Sequence, residues 1–106
     1  MDNFKAIYKI LRTLEAAMDH PEFDMEQIGH AEIGASYERW ARYMEMMADV
    51  GLIKGIRVYS SVTGGTRVDG EGIRITLKGL EYLTENSIMQ KLYKAAKGIK
   101  EIVPGL

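Results

Sequence analysis

The stretch that most restricts what this chain can become is Ser36-Tyr37-Glu38-Arg39-Trp40-Ala41-Arg42-Tyr43-Met44-Glu45-Met46-Met47-Ala48-Asp49-Val50-Gly51, which runs straight into Leu52-Ile53. Trp40, Met44 and Met47 recur on one helical face, with Tyr43 and Val50 at its margins. Tyr37, Glu38, Arg39, Arg42, Glu45, Met46 and Asp49 fall elsewhere and are expected to face solvent. Ser36 offers an N-cap oxygen and Gly51 a stop. An amphipathic helix that ends at a glycine and becomes a strand is therefore expected here.

The flanking patterns extend this reading. Phe4, Ile7, Leu11, Leu14 and Met18 are spaced 3, 4, 3, 4, with Ile10 and Ala17 widening the stripe, which predicts a helix over residues 3–19. His20-Pro21 should end it, because the residue before proline is pushed out of helical geometry. Asp24 and Gln27 form a capping pair, with Phe23 and Ile28 at staple spacing. A short second helix from Met25 to about His30 is expected, followed by a turn at Glu32-Ile33-Gly34-Ala35 in which Gly34 takes the positive φ.

From Leu52 to Thr76 the period falls to two, with Ile56 and Val58 alternating with Arg57 and Tyr59, and Ile73 and Ile75 flanking Arg74. A hairpin turn at Gly64-Gly65 would set Ile56 opposite Ile73; Asp69-Gly70 is the competing turn. Thr76 should cap a last helical region carrying Leu77, Leu80, Tyr82 and Leu83. An interruption is expected at Glu85-Asn86, where Ser87 and Gln90 make a second capping pair. Beyond it, Ile88, Leu92, Ala95, Ile99 and Ile102 repeat as a heptad seam matching that of the first helix.

The order helix, short helix, helix, hairpin, helix predicts an α+β winged helix-turn-helix. Three helices and a two-stranded wing would be completed by a C-terminal helix or helix pair packed on the N-terminal helix. One domain over residues 1–106 is expected, with the reading head at 24–50, the wing at 52–76 and the C-terminal helical region at 77–103; 106 residues suffice for one core. Ile75-Thr76-Leu77-Lys78-Gly79-Leu80-Glu81-Tyr82-Leu83 resembles the strand-to-helix segment of many bacterial winged-helix regulators.

Over nearly its whole length the chain is also similar to the YjcQ-like family, small winged-helix proteins of Gram-positive bacteria and their phages. The similarity rests on Met1 to Leu11, on Phe23-Asp24 to Gln27-Ile28, on Glu38-Arg39-Trp40, on Thr76 to Leu83, and on Ala96-Lys97-Gly98-Ile99-Lys100 to Pro104-Gly105. It implies the fold and a phage or prophage setting, and it transfers no catalytic or binding residue.

Chemistry-bearing residues are few. His20 and His30 lack a second ligand at helical metal-site spacing. Of the acids clustered at Asp19, Glu22, Asp24 and Glu26, Asp24 is explained by its cap and the others lack an apolar pocket that would make a general acid. Gly64-Gly65 and Gly70-Glu71-Gly72 lack the Gly-Lys-Ser/Thr of a phosphate loop. Neither an enzyme, a cofactor nor a metal site is expected. With zero cysteines and no apolar run of membrane-spanning length, a cytoplasmic, soluble protein is expected.

Two function classes remain. For double-stranded DNA, the candidate contacts are Ser36, Tyr37, Arg39 and Arg42 on the third helix, with Arg57 and Arg67 on the wing. Against this, Glu38, Glu45 and Asp49 offset the two helix arginines. Residues 1–50 hold five Lys/Arg against ten Asp/Glu and residues 51–106 nine against five, so halves of −5 and +4 make the net −1. The rival is a protein-interaction module acting through Met46, Tyr43 or the C-terminal helix, whose Ile99-Ile102-Val103 end would also serve a homodimer. Trp40 is expected in the core, and Lys91, Lys94, Lys97 and Lys100 form a solvated outer face, since steps of three drift around a helix.

Overall fold

The computed structural model describes residues 2–96, with side chains described through residue 87. It is an α+β arrangement of four α-helices, one 3-10 turn and two small antiparallel sheets. In order, α1 is Asn3–Ala16, the 3-10 turn Met25–Ile28, α2 His30–Ile33 and α3 Tyr37–Asp49. The strands β1 Ile53–Lys54, β2 Arg57–Ser60, β3 Thr66–Asp69 and β4 Arg74–Ile75 precede α4, Leu77–Ala96.

The α1 helix starts at Asp2, whose carboxylate accepts from the amides of Phe4 and Lys5 at 2.9 and 3.2 Å. It buries Ala6, Ile10, Leu11 and Leu14. It ends three residues before the expected Asp19, because the chain tightens at Ala17 into i→i+3 bonds that run on to His20. Met18 thereby leaves the helical stripe for solvent, and Phe4, in the first turn, is 69% exposed.

The second helix differs from expectation. Asp24 does cap the segment, accepting from the Glu26 amide at 3.0 Å, but Gly29 in extended geometry divides it into a 3-10 turn and the separate α2. Gly34 follows α2 at φ +79, as the turn requires.

Buried α3 residues are Trp40, Ala41, Tyr43, Met44 and Met47. Trp40 satisfies its ring N–H by donating to the Ile28 carbonyl at 2.7 Å, so the indole is buried with its polar handle paired. Tyr43 is fully inside rather than marginal, because its hydroxyl reaches back to donate to Asn3 Oδ1 at 2.5 Å. It is therefore removed from any partner surface. Val50 is 55% exposed. Gly51 ends the helix at φ +84.

Between Gly51 and Thr76 the chain makes two sheets. The inner one pairs Ile53 with Ile75 and Lys54 with Arg74; the outer ribbon pairs Arg57 with Asp69, Val58 with Val68, Tyr59 with Arg67 and Ser60 with Thr66. The expected Ile56–Ile73 pairing is not formed. The tip spans Ser61 to Gly65, closed by the Ser61 amide donating to the Gly65 carbonyl at 2.7 Å, and a second turn, Gly70 to Ile73, absorbs residues between the sheets. Ile56 consequently packs beside Gly70. At this joint Gly55, at φ +82, passes so near Gly72 that a Cβ would lie 1.8 Å from the Gly72 carbonyl oxygen.

Thr76 closes the excursion. Its hydroxyl donates to the Gly51 carbonyl and accepts from the Gly79 amide at 3.1 Å, while its own amide donates to the Leu52 carbonyl at 3.1 Å. Gly79 lets α4 begin against β1, since a Cβ there would stand 2.4 Å from the Leu52 carbonyl oxygen. The α4 helix then runs unbroken through the expected interruption. Instead of capping a new helix, Ser87 shares a 2.7 Å hydrogen bond with the Tyr8 hydroxyl, and Asn86 donates to the Tyr82 carbonyl at 2.9 Å. The first and last helices thus pack on each other. Side chains of Ile88, Lys91, Leu92, Lys94 and Ala95 lie outside the described residues, as do Lys97, Ile99, Lys100, Ile102, Val103 and Pro104-Gly105 altogether.

Candidate functional site

The outer side of α3 is where the candidate side chains gather, and each has a different occupation. Ser36 is spent as a cap, its hydroxyl accepting from the Arg39 amide at 3.2 Å. Tyr37, 38% exposed, lies edge-on to His30 (ring centroids 5.7 Å) and tilted against Trp40 (5.5 Å). Its hydroxyl accepts from the Val68 amide at 3.3 Å, taking a free edge N–H of β3. Arg39 donates from Nη1 to Asn3 Oδ1 at 2.9 Å, which fixes one side of the guanidinium and leaves its other donors outward. Arg42 is exposed, with no hydrogen bond or ion pair among the described residues.

The acids of the same helix, Glu38, Glu45 and Asp49, are exposed as well. Glu38 does not pair with either arginine; its carboxylate accepts from the Thr66 hydroxyl at 3.0 Å. Two side chains of α3 therefore hold the β3 edge.

Arg57 and Arg67 stand together with Tyr59 and Asp69 on one face of the ribbon, because successive residues alternate. The other face carries Val58 and Val68, of which Val68 packs against the core. So the structure joins Tyr37 and the ribbon directly, and brings Arg57 and Arg67 to one ribbon face without contact to Arg39 or Arg42. In the ladder Asp69 is the cross-strand partner of Arg57, and Tyr59 that of Arg67.

Asn3 was invisible as a site residue, although it positions both Arg39 and Tyr43. No spacing rule links residues 36 and 40 positions apart. Thr66, the partner of Glu38, was equally unmarked.

Among the described residues no cluster of His, Cys, Asp or Glu could hold a metal ion. No described helix is long and apolar enough to cross a membrane. A groove of about 550 Å³ lies away from α3, between the end of α1 and β4, lined in part by Leu14, Met18, Phe23, Ile73 and Arg74. Near the start of α1, burial first and the Asp2 carboxylate second push the Tyr82 phenol above its ordinary 10.0.

A family model described as YjcQ protein matches residues 8–102 of the chain. No curated protein matches it, and no solved structure does.

Proposed function

The chain belongs to the YjcQ family, and from that premise we propose that it is a winged helix-turn-helix protein that binds duplex DNA and regulates transcription, in a phage or prophage setting within the cytoplasm. In this reading residues 24–50 are the reading head, α3 is the recognition helix, β2–β3 is the wing, and 1–106 is one domain. No catalytic step, metal or cofactor is involved. The observation that carries it is Arg42, exposed and unpaired among the described residues, one turn beyond Arg39 on a helix fastened at its leading edge to a ribbon bearing Arg57 and Arg67. Guanidinium groups so placed suit phosphates and guanine edges.

The three exposed acids of α3 set the strength. A single copy binds nonspecific duplex with a Kd of about 10⁻⁴–10⁻⁶ M, and specific binding requires two copies on paired half-sites. Selection from a random-sequence duplex library at low salt tests this. The natural chain is expected to give salt-sensitive retention, and Arg39→Ala with Arg42→Ala to abolish it. A natural chain that selects no sequence and shows no salt-dependent retention overturns the reading.

A second reading keeps the fold and replaces DNA with a protein. Met46 on α3 and Val50 just after it are 49% and 55% exposed, and Leu77 is exposed just beyond the Thr76–Gly51 contact. Capture of a protein partner from nuclease-treated host extract, lost on Met46→Glu, would favour this module. Loss of every partner on nuclease treatment would count against it.

A further inference from the structure

We propose that the β2–β3 ribbon is a strap, latched shut over the leading edge of α3 by Tyr37 and Glu38, and that it must open before that edge can meet a nucleic acid. The choice of ligand rests on the DNA reading above; the latch itself does not.

Three features carry this. The contacts that close the strap are polar and solvent-facing: the Val68 amide donating to Tyr37 Oη at 3.3 Å, and the Thr66 hydroxyl donating to Glu38 Oε2 at 3.0 Å. Their apolar reinforcement is confined to one ribbon face, where Val68 packs on the core and Val58 is half-buried, while Arg57, Tyr59, Ser60, Arg67 and Asp69 are exposed. Two such hydrogen bonds favour the closed form by on the order of tenfold to a hundredfold, well within reach of a ligand's binding energy.

The second feature is the joint. The inner sheet pairs Ile53 with Ile75, whereas the outer ribbon pairs Arg57 with Asp69, so the ladder is interrupted at Gly55-Ile56 and Gly70 to Ile73. A ribbon without a continuous ladder to its base pivots there as a unit.

The third is chemical. Closure occupies the Tyr37 hydroxyl and pins the Glu38 carboxylate at the start of α3, so a phosphate approaching that edge meets a negative charge held in place by Thr66. The latch and a polyanion compete for one edge.

The chain has no cysteine, which permits a clean test. In the free protein, the Val68 amide is expected to be protected from hydrogen exchange, and Tyr37→Phe, which keeps the ring against Trp40, to speed its exchange about tenfold without altering the tip amides. Wild-type exchange at Val68 as fast as at the tip, or no change in Tyr37→Phe, overturns the latch. For the strap, Glu38→Cys with Thr66→Cys is bridged by a short bis-methanethiosulfonate linker that reductant removes. Duplex retention is expected to fall at least about tenfold when bridged and to return on reduction, provided Trp40 emission reports the same fold in both states. Equal retention in the two states overturns the strap. If neither state retains DNA, the duplex reading fails, and Val68 exchange alone decides the latch.

Discussion

In the inner sheet a buried isoleucine, Ile53, faces Ile75, and Ile73 is buried beside them; in the outer ribbon Arg57 faces Asp69, Tyr59 faces Arg67, and Val62 at the tip is wholly exposed. The two sheets are successive parts of the same two passes of chain. One is held by desolvated aliphatic groups and by the Thr76 contacts, the other by polar bonds to α3 and by Val68 against the core. The inner sheet therefore belongs to the cooperative core, while the ribbon is free to open locally without unfolding it.

The sharpest way to break this contrast uses two glycines with positive φ. Gly55→Ala, which drives a Cβ into the Gly72 carbonyl at the joint, is expected to cost about 3 kcal/mol or more. At the tip Gly64 has φ +97 but open space around it, so Gly64→Ala should cost about 1 kcal/mol. Urea midpoints of the two variants check the ranking, and equal losses would place the tip inside the cooperative unit.

Next in size is Thr76→Ala. It removes the cap of α4 and leaves the Gly51 carbonyl without its partner, for a loss of about 2 kcal/mol. Thr76→Ser should recover most of that, because the hydroxyl rather than the methyl makes both bonds. Thermal unfolding of the pair would show whether the inner sheet depends on this contact as described.

The smallest effect concerns pH near the start of α1. The folded-state phenol of Tyr82 is raised, so its neutral form is favoured by folding. That contribution is fully present below the ordinary value of 10.0 and is lost as pH rises beyond it through the folded value. Tyr82→Phe should therefore flatten the alkaline limb of a stability-against-pH curve while leaving the neutral region unchanged. An alkaline limb of the same slope in both proteins would assign the loss to another group.

How much of this was legible depended on whether the cause was local. The Ser36 cap, the Gly51 stop, the Gly34 turn and the Thr76 cap each follow from a side chain and the backbone within a few residues of it, and the structure shows all four. The buried Trp40–Met44–Met47 face follows from helical spacing alone. The failures share a tertiary origin. The hairpin register slipped first at the tip, which closes from Ser61 to Gly65 rather than at Gly64-Gly65 and sets Arg57 opposite Asp69, and again at the Gly70–Ile73 turn, which takes up residues before the inner sheet. The capping signature of Ser87 and Gln90 is silent because Ser87 is engaged by Tyr8 on another helix. Tyr43 turned inward for the sake of Asn3, forty positions away. At the candidate site, Arg39 and Arg42 were readable as exposed cations, yet nothing in the local pattern announced that Glu38 and Tyr37 would hold the ribbon.

The Gly51–Thr76 hydrogen bond joins residues 25 positions apart, beside the Thr76–Leu52 backbone bond and the Ile53–Ile75 pair. Beyond that neck and the inner sheet, the β2–β3 ribbon goes out and comes back, so it resembles a cassette. Its far end can be lengthened at little penalty, since each doubling of a flexible loop costs only about 0.6 kcal/mol. Foreign peptide inserted between Thr63 and Gly64 should be carried without disturbing the helices, whereas the same insertion beside either end of the neck would pry them apart.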